Sequence, residues 1–527
     1  MERNKILFSA FLLFTLTACS LDESPRDQIP EEEAYTSTTA LYQNCVATLY
    51  NYIGGSADGQ GLQGTCRGVY DLQTFGSDEA MLPTRGGDWY DGGLWQEMYR
   101  HTWTAGHDLP KNAWLYLYKV IALCNRSLEQ LDAHQSFFVV GDLQSPTFAA
   151  YKAEVRALRA IYYWYLMDLF GRVPLVTSTD VSMNEVRQSE RSQMFDFCVS
   201  ELQETLPLLS AENSVRPGDY YGRVTQPVAL FVLAKLMLNS SVYKRTVETT
   251  AAYTACTSYC DRIEAMGYAL EPSYATNFSV HNETSVENIW VIPMDKNLYA
   301  NQQQNLYRSY HYRHAAAYGF TAENGSCATQ RTLDIFGYGT SQEDNRFTLC
   351  YWAGTVTDLN GTTVTDRTGQ PLVYEPREVS LDLSGSPYVE TAGARMKKYE
   401  VDKNAIKDGK LMDNDIVLFR VADVLLMRAE ANLRLGNDTQ AQSDYDAVRC
   451  RAGMPTQSVT LQRLLDERLL ELCWEGWRRQ DLIRFGQYQT LYDGADRLDE
   501  SDGHNTLYPI PADVMALNLN LTQNPGY

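Results

Sequence analysis

Between Arg85 and Trp95 the chain sets two tryptophans, a tyrosine, two aspartates and an arginine among four glycines, in the order Arg85-Gly86-Gly87-Asp88-Trp89-Tyr90-Asp91-Gly92-Gly93-Leu94-Trp95. A second segment, from Asn297 to Tyr312, alternates rings with polar groups: Tyr299, Asn301, Gln302, Gln303, Tyr307, Arg308, Tyr310 and Tyr312. Flat rings beside amides, carboxylates and guanidinium groups suit a ligand with apolar C–H faces and a rim of hydroxyls, and a sugar ring is such a ligand. The glycines permit tight turns that would leave Trp89, Tyr90 and Trp95 facing outward. The candidate ligand-binding residues are therefore Arg85, Asp88, Trp89, Tyr90, Trp95, Tyr299, Asn301, Gln302, Tyr307 and Tyr310. Trp95 is the member of the set best suited to a core position, and the competing structural reading has these rings covering loops or sealing an interface.

Other chemistries find less support. The sequence holds no phosphate-cradling glycine loop, no nucleophile elbow, no His-Glu-x-x-His and no dinucleotide fingerprint, so no catalytic residue is assigned and the chain is read as a non-enzyme. A glycosidase needs only two carboxylates about 5–10 Å apart, which 66 acidic residues leave open. Cys256 and Cys260 lie one helical turn apart and His311 and His314 are close in sequence, but neither pair has further ligands at a zinc-site spacing. No metal site or cofactor is expected, with a structural calcium ion left open. Cys45, Cys124, Cys198, Cys450 and Cys473 fall among helix-patterned apolar residues, where a free thiol behaves as a small hydrophobe.

These segments must be held by something rigid. From Tyr151 to Phe170 the residues Val155, Leu158, Tyr162, Tyr165, Leu166 and Leu169 recur at three- and four-residue steps, which predicts an amphipathic helix stopped by Gly171 and Pro174. Comparable patterns predict helices over roughly 110–131, 190–209, 224–243, 251–266, 416–435, 438–452 and 461–475. The run Ala431 to Gly436 with Ala441 and Tyr445 has the small residues, turn glycine and aromatic of a tetratricopeptide unit. A helical hairpin cannot bury its apolar face alone, so the others must stack on it. The chain is thus expected to be mainly α, a tetratricopeptide-like scaffold of helical hairpins. Loop-rich insertions are expected at about 54–110 and 268–412, the latter with short β-strands such as Ile289-Trp290-Val291-Ile292 and a hairpin turn at Asn360-Gly361.

Composition bounds the partners. The formal charge of −21 argues against nucleic acid or anionic phospholipid as a direct partner and suits a neutral or cationic ligand better. At 44% hydrophobic and 21% charged residues the chain is an ordinary folded protein, and 35 Tyr with 9 Trp imply that some rings work at a surface.

At the start, Arg3 and Lys5 precede an apolar run from Ile6 to Leu16, the length of a signal-peptide core, and Leu16-Thr17-Ala18-Cys19 resembles a bacterial lipobox. Residues 1–18 are read as a signal peptide, Cys19 as the lipid-attachment site, 19–35 as a tether and 36–527 as the folded domain. Asp22 and Glu23 resemble a surface-export signal for lipoproteins, placing the chain on the outside of the outer membrane. The apolar stretch Val224 to Val242 contains Gln226, Pro227, Lys235 and Asn239, which predicts a buried helix instead of a span.

Several blocks are similar to the SusD-like (RagB/SusD) family. They include Ala153 to Ala160 leading to Leu169-Phe170-Gly171-Arg172-Val173-Pro174-Leu175, then Arg420 to Ala431 and Arg449-Cys450-Arg451-Ala452-Gly453. Glu467-Arg468, Glu471-Leu472, Glu475-Gly476, Tyr508-Pro509-Ile510-Pro511 and Gln523-Asn524-Pro525-Gly526-Tyr527 extend them to the last residue. The resemblance implies a tetratricopeptide-like scaffold, an outer-leaflet lipid anchor, a partner SusC-like TonB-dependent transporter and an oligosaccharide or polysaccharide ligand captured for import. Peptide or glycopeptide capture is the alternative, with glycoside hydrolysis behind it. The helical spacing of Glu467, Arg468 and Glu471 predicts buried or interhelical ion pairs for them.

Overall fold

In the computed structural model the chain is described for residues 34–55, 59–138, 145–213, 218–247, 249–298, 303–407, 409, 411–490 and 503–527. The signal peptide and Cys19 lie outside these residues, as does all but the end of the tether. The scaffold helices are α1 (Asp108–Ala133), α2 (Ser145–Phe170), α3 (Arg191–Thr205), α4 (Gln226–Leu238), α5 (Thr250–Ala265), α6 (Val421–Leu435), α7 (Asp438–Arg451), α8 (Leu461–Leu472) and α9 (Arg478–Arg484). Sequence neighbours pack in series, α1 on α2, α2 on α3, α4 on α5, α5 on α6 and α6 on α7, which is the stacking of helical hairpins.

The local signals act where they were expected. Gly171 ends α2 with φ +72° and Gly436 ends α6 with φ +80°, left-handed positions that a side chain disfavours. Pro227 occupies the first turn of α4, where its missing N–H costs nothing, and every residue from Pro227 to Leu238 is buried. Among the described residues no helix is long and apolar enough to cross a membrane. Ala431, Ala441 and Tyr445 are fully buried where α6 meets α7, filling the places of a tetratricopeptide unit.

One boundary is corrected. The helix expected over 416–435 is a strand followed by a helix: Ile416–Arg420 (β4) pairs antiparallel with Asn288–Ile292 (β2), Ile416 facing Ile292 and Val417 facing Val291, and α6 starts only at Val421. A run of Ile, Val, Leu and Phe satisfies either period, and the available partner strand decides. The pairing clamps the two ends of the 268–412 insertion together. Phe419 of β4 stacks on Phe231 of α4 at 4.2 Å between ring centroids and packs beside Trp290 and Trp477, fastening the clamp to the scaffold. Two short strands, Ala80–Met81 (β1) and Cys327–Ala328 (β3), pair antiparallel and join the early loop to the insertion. The turn at Asn360-Gly361 is present, with Thr357 bridged to Thr363 and Gly361 at φ +81°. Cys450 is exposed on α7, contrary to the apolar setting expected for it, whereas Cys45, Cys124, Cys198 and Cys473 are buried.

Charged side chains hold these parts together from inside. Glu471 of α8, fully buried, receives Arg346 at 2.9 Å, Arg420 at 2.5 Å and Arg451, while Arg420 also reaches Glu287 at 2.7 Å and Glu475 at 2.7 Å. Glu467 meets Arg346 and Arg449, each at 2.7 Å, and Arg468 meets Asp423 and Asp481, each at 2.8 Å. The helical spacing of these residues thus marks interhelical pairs, and Glu287 and Arg346 carry the network into the insertion.

Glu79, beside β1, is buried and accepts a hydrogen bond from the Trp474 N–H. Burial pushes its carboxyl up from 4.5 to about 8, against the pull of Lys398 and Arg478 and with help from Asp78. The folded chain therefore keeps a proton that the unfolded chain releases above its ordinary value, and this group's contribution to stability falls as pH rises from about 4.5 to 8. Glu79→Gln is expected to flatten that fall and to raise the melting temperature more at pH 9 than at pH 6. Equal effects at both pH values would show that Glu79 is ionised in the fold.

Candidate functional site

The first candidate loop is a chain of tight turns. Arg85 and Asp88 exchange both backbone hydrogen bonds, at 2.9 and 3.1 Å, around Gly86 and Gly87. Trp89 and Asp91 follow in the left-handed region at φ +63° and +45°, a conformation held only when the surroundings impose it. For Trp89 the imposition is visible: its indole N–H donates to the Glu323 carbonyl at 2.9 Å, and its ring lies over Gly325. Asp91 accepts from the Trp95 indole at 2.8 Å and pairs with Arg67 at 2.7 Å.

The loop and the insertion enclose a cleft of about 700 Å³. Trp89 and Trp95 form one wall, their rings edge to face at 6.1 Å. Asp88, which accepts the Tyr312 hydroxyl at 2.7 Å, and Asp91 with its Arg67 partner occupy the rim with Asn112, Gln304 and Glu323. Asn112 donates to the Arg67 carbonyl at 3.1 Å, and the Gln304 side-chain carbonyl accepts from the Cys66 N–H at 3.2 Å, so α1 and the insertion each fix one edge. Beneath the wall Arg308 pairs with Asp71 at 2.8 Å, both fully buried, with the guanidinium packed against Phe75 and Trp95. The arrangement offers a half-exposed indole face surrounded by amide, carboxylate, guanidinium and phenol groups.

Of the residues singled out in the sequence, Asp88, Trp89 and Trp95 meet in this cleft. Trp95 is only 1% exposed and is the buried part of that wall. Tyr90 is 53% exposed and stands outside the lining. Arg85 turns inward: it donates to the carbonyls of Gly325, Val389 and Ala392, and burial next to Arg395 lowers it to about 9. Tyr307 and Tyr310 are buried as well, Tyr310 taking the Trp352 indole N–H at 2.7 Å within a cluster that includes His314 and Phe320. Tyr299, Asn301 and Gln302 lie outside the described residues. The cleft also contains Tyr312, from the second aromatic segment, and Arg67, Asn112, Gln304 and Glu323, which are not among the residues singled out in the sequence. Tyr312 and Gln304 lie in or beside a quoted aromatic stretch, whereas Arg67, Asn112 and Glu323 carry no local signal.

His311 bonds Glu390 at 3.1 Å and His314 bonds the Tyr374 hydroxyl at 3.0 Å, and burial lowers His314 to about 3. Among the described residues no three His, Cys, Asp or Glu side chains come together as a metal set.

Fold and cleft together define a class: a tetratricopeptide-like helical scaffold that carries a loop-built aromatic cleft on long insertions. The chain belongs to the SusD family, which residues 278–527 match, while residues 60–238 match a family described as starch-binding and associating with the outer membrane. Among curated relatives, the starch-binding protein SusD of Bacteroides thetaiotaomicron is 27% identical over 417 residues, covering 71% of this chain and 72% of that protein. The SusD-like protein P25 of Formosa agariphila is 25% identical over 92% of this chain and 90% of its own length. Among solved structures, a laminarin-binding SusD-like protein superposes with a TM-score of 0.70 at 21% identity, covering 94% of this chain and 100% of that one. Surface glycan-binding protein A from Bacteroides thetaiotaomicron, in complex with laminarihexaose, gives 0.71 at 20% identity over 93% and 100%. At these identities the structural matches speak for the fold.

Proposed function

We propose that this protein is a cell-surface lipoprotein, anchored through Cys19 in the outer membrane, that captures oligosaccharides or polysaccharides and delivers them to a SusC-like TonB-dependent transporter. The observation that carries the reading is the cleft itself, where the Trp89 face lies among hydrogen-bonding groups matched to a ring of hydroxyls. The names of relatives that bind starch, laminarin and other glycans support it, as do the lipobox and the acidic residues after Cys19. The capture is binding without turnover.

The test is a screen of the soluble chain lacking residues 1–19 against polysaccharides and peptides by affinity electrophoresis and calorimetry. Retention by one glycan class is expected. Retention by peptides alone, or release of reducing ends from a bound glycan, would overturn the reading. Within that screen Trp89→Ala is expected to weaken binding at least about tenfold, the worth of one stacked ring. Its ring is half-buried against Gly325, so a stability loss of about 1–2 kcal/mol should accompany it, in place of the unchanged melting expected of a free surface ring.

A further inference from the structure

We propose that the cleft selects uncharged glycans against acidic ones, with Asp88 and Glu323 as the specificity-determining residues, an inference that rests on the glycan-capture reading. Three carboxylates line the cleft, those of Asp88, Asp91 and Glu323, against the single guanidinium of Arg67. Arg67 is committed to Asp91 at 2.7 Å, and Asp91 also takes the Trp95 indole N–H. Among the described residues neither Asp88 nor Glu323 makes an ion pair, and the Asp88 carboxylate accepts the Tyr312 hydroxyl. Both are exposed and line the cleft with Trp89, so their charge reaches the ligand space.

The other arginines around the cleft are buried: Arg308, paired with Asp71, lies beneath the wall, and Arg85 and Arg395 are held by backbone carbonyls. Arg85 donates to the carbonyls of Gly325, Val389 and Ala392, and Arg395 to those of Ser309, Gly325 and Glu390. They offset part of the negative field but present no donor to a ligand. Carboxylates at a rim are acceptors without a donor, which suits the hydroxyls of a neutral sugar and repels a uronate or a sulfate. At about 6 Å through a water-like medium each like charge is worth roughly threefold in affinity, so the pair disfavours a carboxylated ligand by roughly five- to tenfold at low salt.

The experiment compares laminarin, starch and galactomannan with the same polymers after oxidation of their 6-hydroxymethyl groups to carboxylates, at low and high salt. The neutral form of the polymer that binds is expected to bind five- to tenfold tighter, with the gap closing as salt is added. The double variant Asp88→Asn/Glu323→Gln should close the gap at low salt, its melting curve confirming that it is folded. If that variant does not fold, the salt dependence of the unaltered protein decides. Equal or tighter binding of the oxidised form would overturn the selection and leave glycan capture standing. No binding to any of the polymers in either form would overturn both.

Discussion

Replacing Glu471 by Gln is expected to lower the unfolding free energy by about 3–5 kcal/mol, the cost of breaking a buried ion pair while its partners stay buried. Glu471 has no exposed surface and receives three guanidinium groups, from Arg346 in the insertion, Arg420 at the end of β4 and Arg451 at the end of α7. A neutral amide could accept hydrogen bonds from them but would leave a positive charge uncompensated where water cannot reach. The three arginines hold the Glu471 carboxyl well below its ordinary 4.5, overcoming the opposing effect of burial. A depressed carboxylate stabilises the fold above its unfolded value and loses that contribution as pH falls through the folded one. The deficit of the variant should therefore be complete at pH 7 and should begin to shrink below about pH 4.5. Denaturant titrations at both pH values check this. A loss under 1 kcal/mol at pH 7 would mean that Glu287, Glu467 and Glu475 suffice to balance the arginines.

Gly325→Ala should remove most of the glycan affinity at a stability cost of about 1–2 kcal/mol, similar to that of Trp89→Ala. A Cβ at this position would stand 2.7 Å from Cε2 of Trp89 and 2.9 Å from its Nε1, so one side must move. The backbone at Gly325 cannot yield easily, because its N–H bonds the Arg308 carbonyl at 2.7 Å and its carbonyl receives both Arg85 and Arg395. The indole is held by one hydrogen bond, to the Glu323 carbonyl, and by its edge contact with Trp95, and it has a partly open side to swing into. Displacing it would cost the ligand its flat platform, roughly ten- to hundredfold in affinity. As a control, Gly106→Ala, whose Cβ would meet only Thr104 Oγ1 at 3.7 Å, should behave as the unaltered protein. Retained affinity in Gly325→Ala would show that Trp89 is not the platform.

Much of the scaffold is legible from local residues because helices are local objects. The three- and four-residue spacing of α2, its stop at Gly171, and the Ala431, Gly436, Ala441 and Tyr445 pattern each act within a turn or two of chain. The arginines and glutamates of the α6–α9 region are legible for a related reason, since their spacing places them on the faces where hairpins meet.

The sequence by itself determined the helical class, the hairpin stacking and the kinds of side chain available for a ligand. Only the tertiary structure decided which of those side chains face the cleft. Ile416 to Arg420 satisfied both periods, and β2, more than a hundred residues earlier, made it a strand. Arg85, Tyr307 and Tyr310 looked as eligible as Trp89, yet carbonyls and rings from distant segments draw them inside. Arg67, Asn112 and Glu323 come to the rim from three separate stretches through the β1–β3 pairing and the start of α1. Rings and charges are placed by contacts between residues far apart in the chain, and such contacts leave no periodic trace in the sequence around either partner.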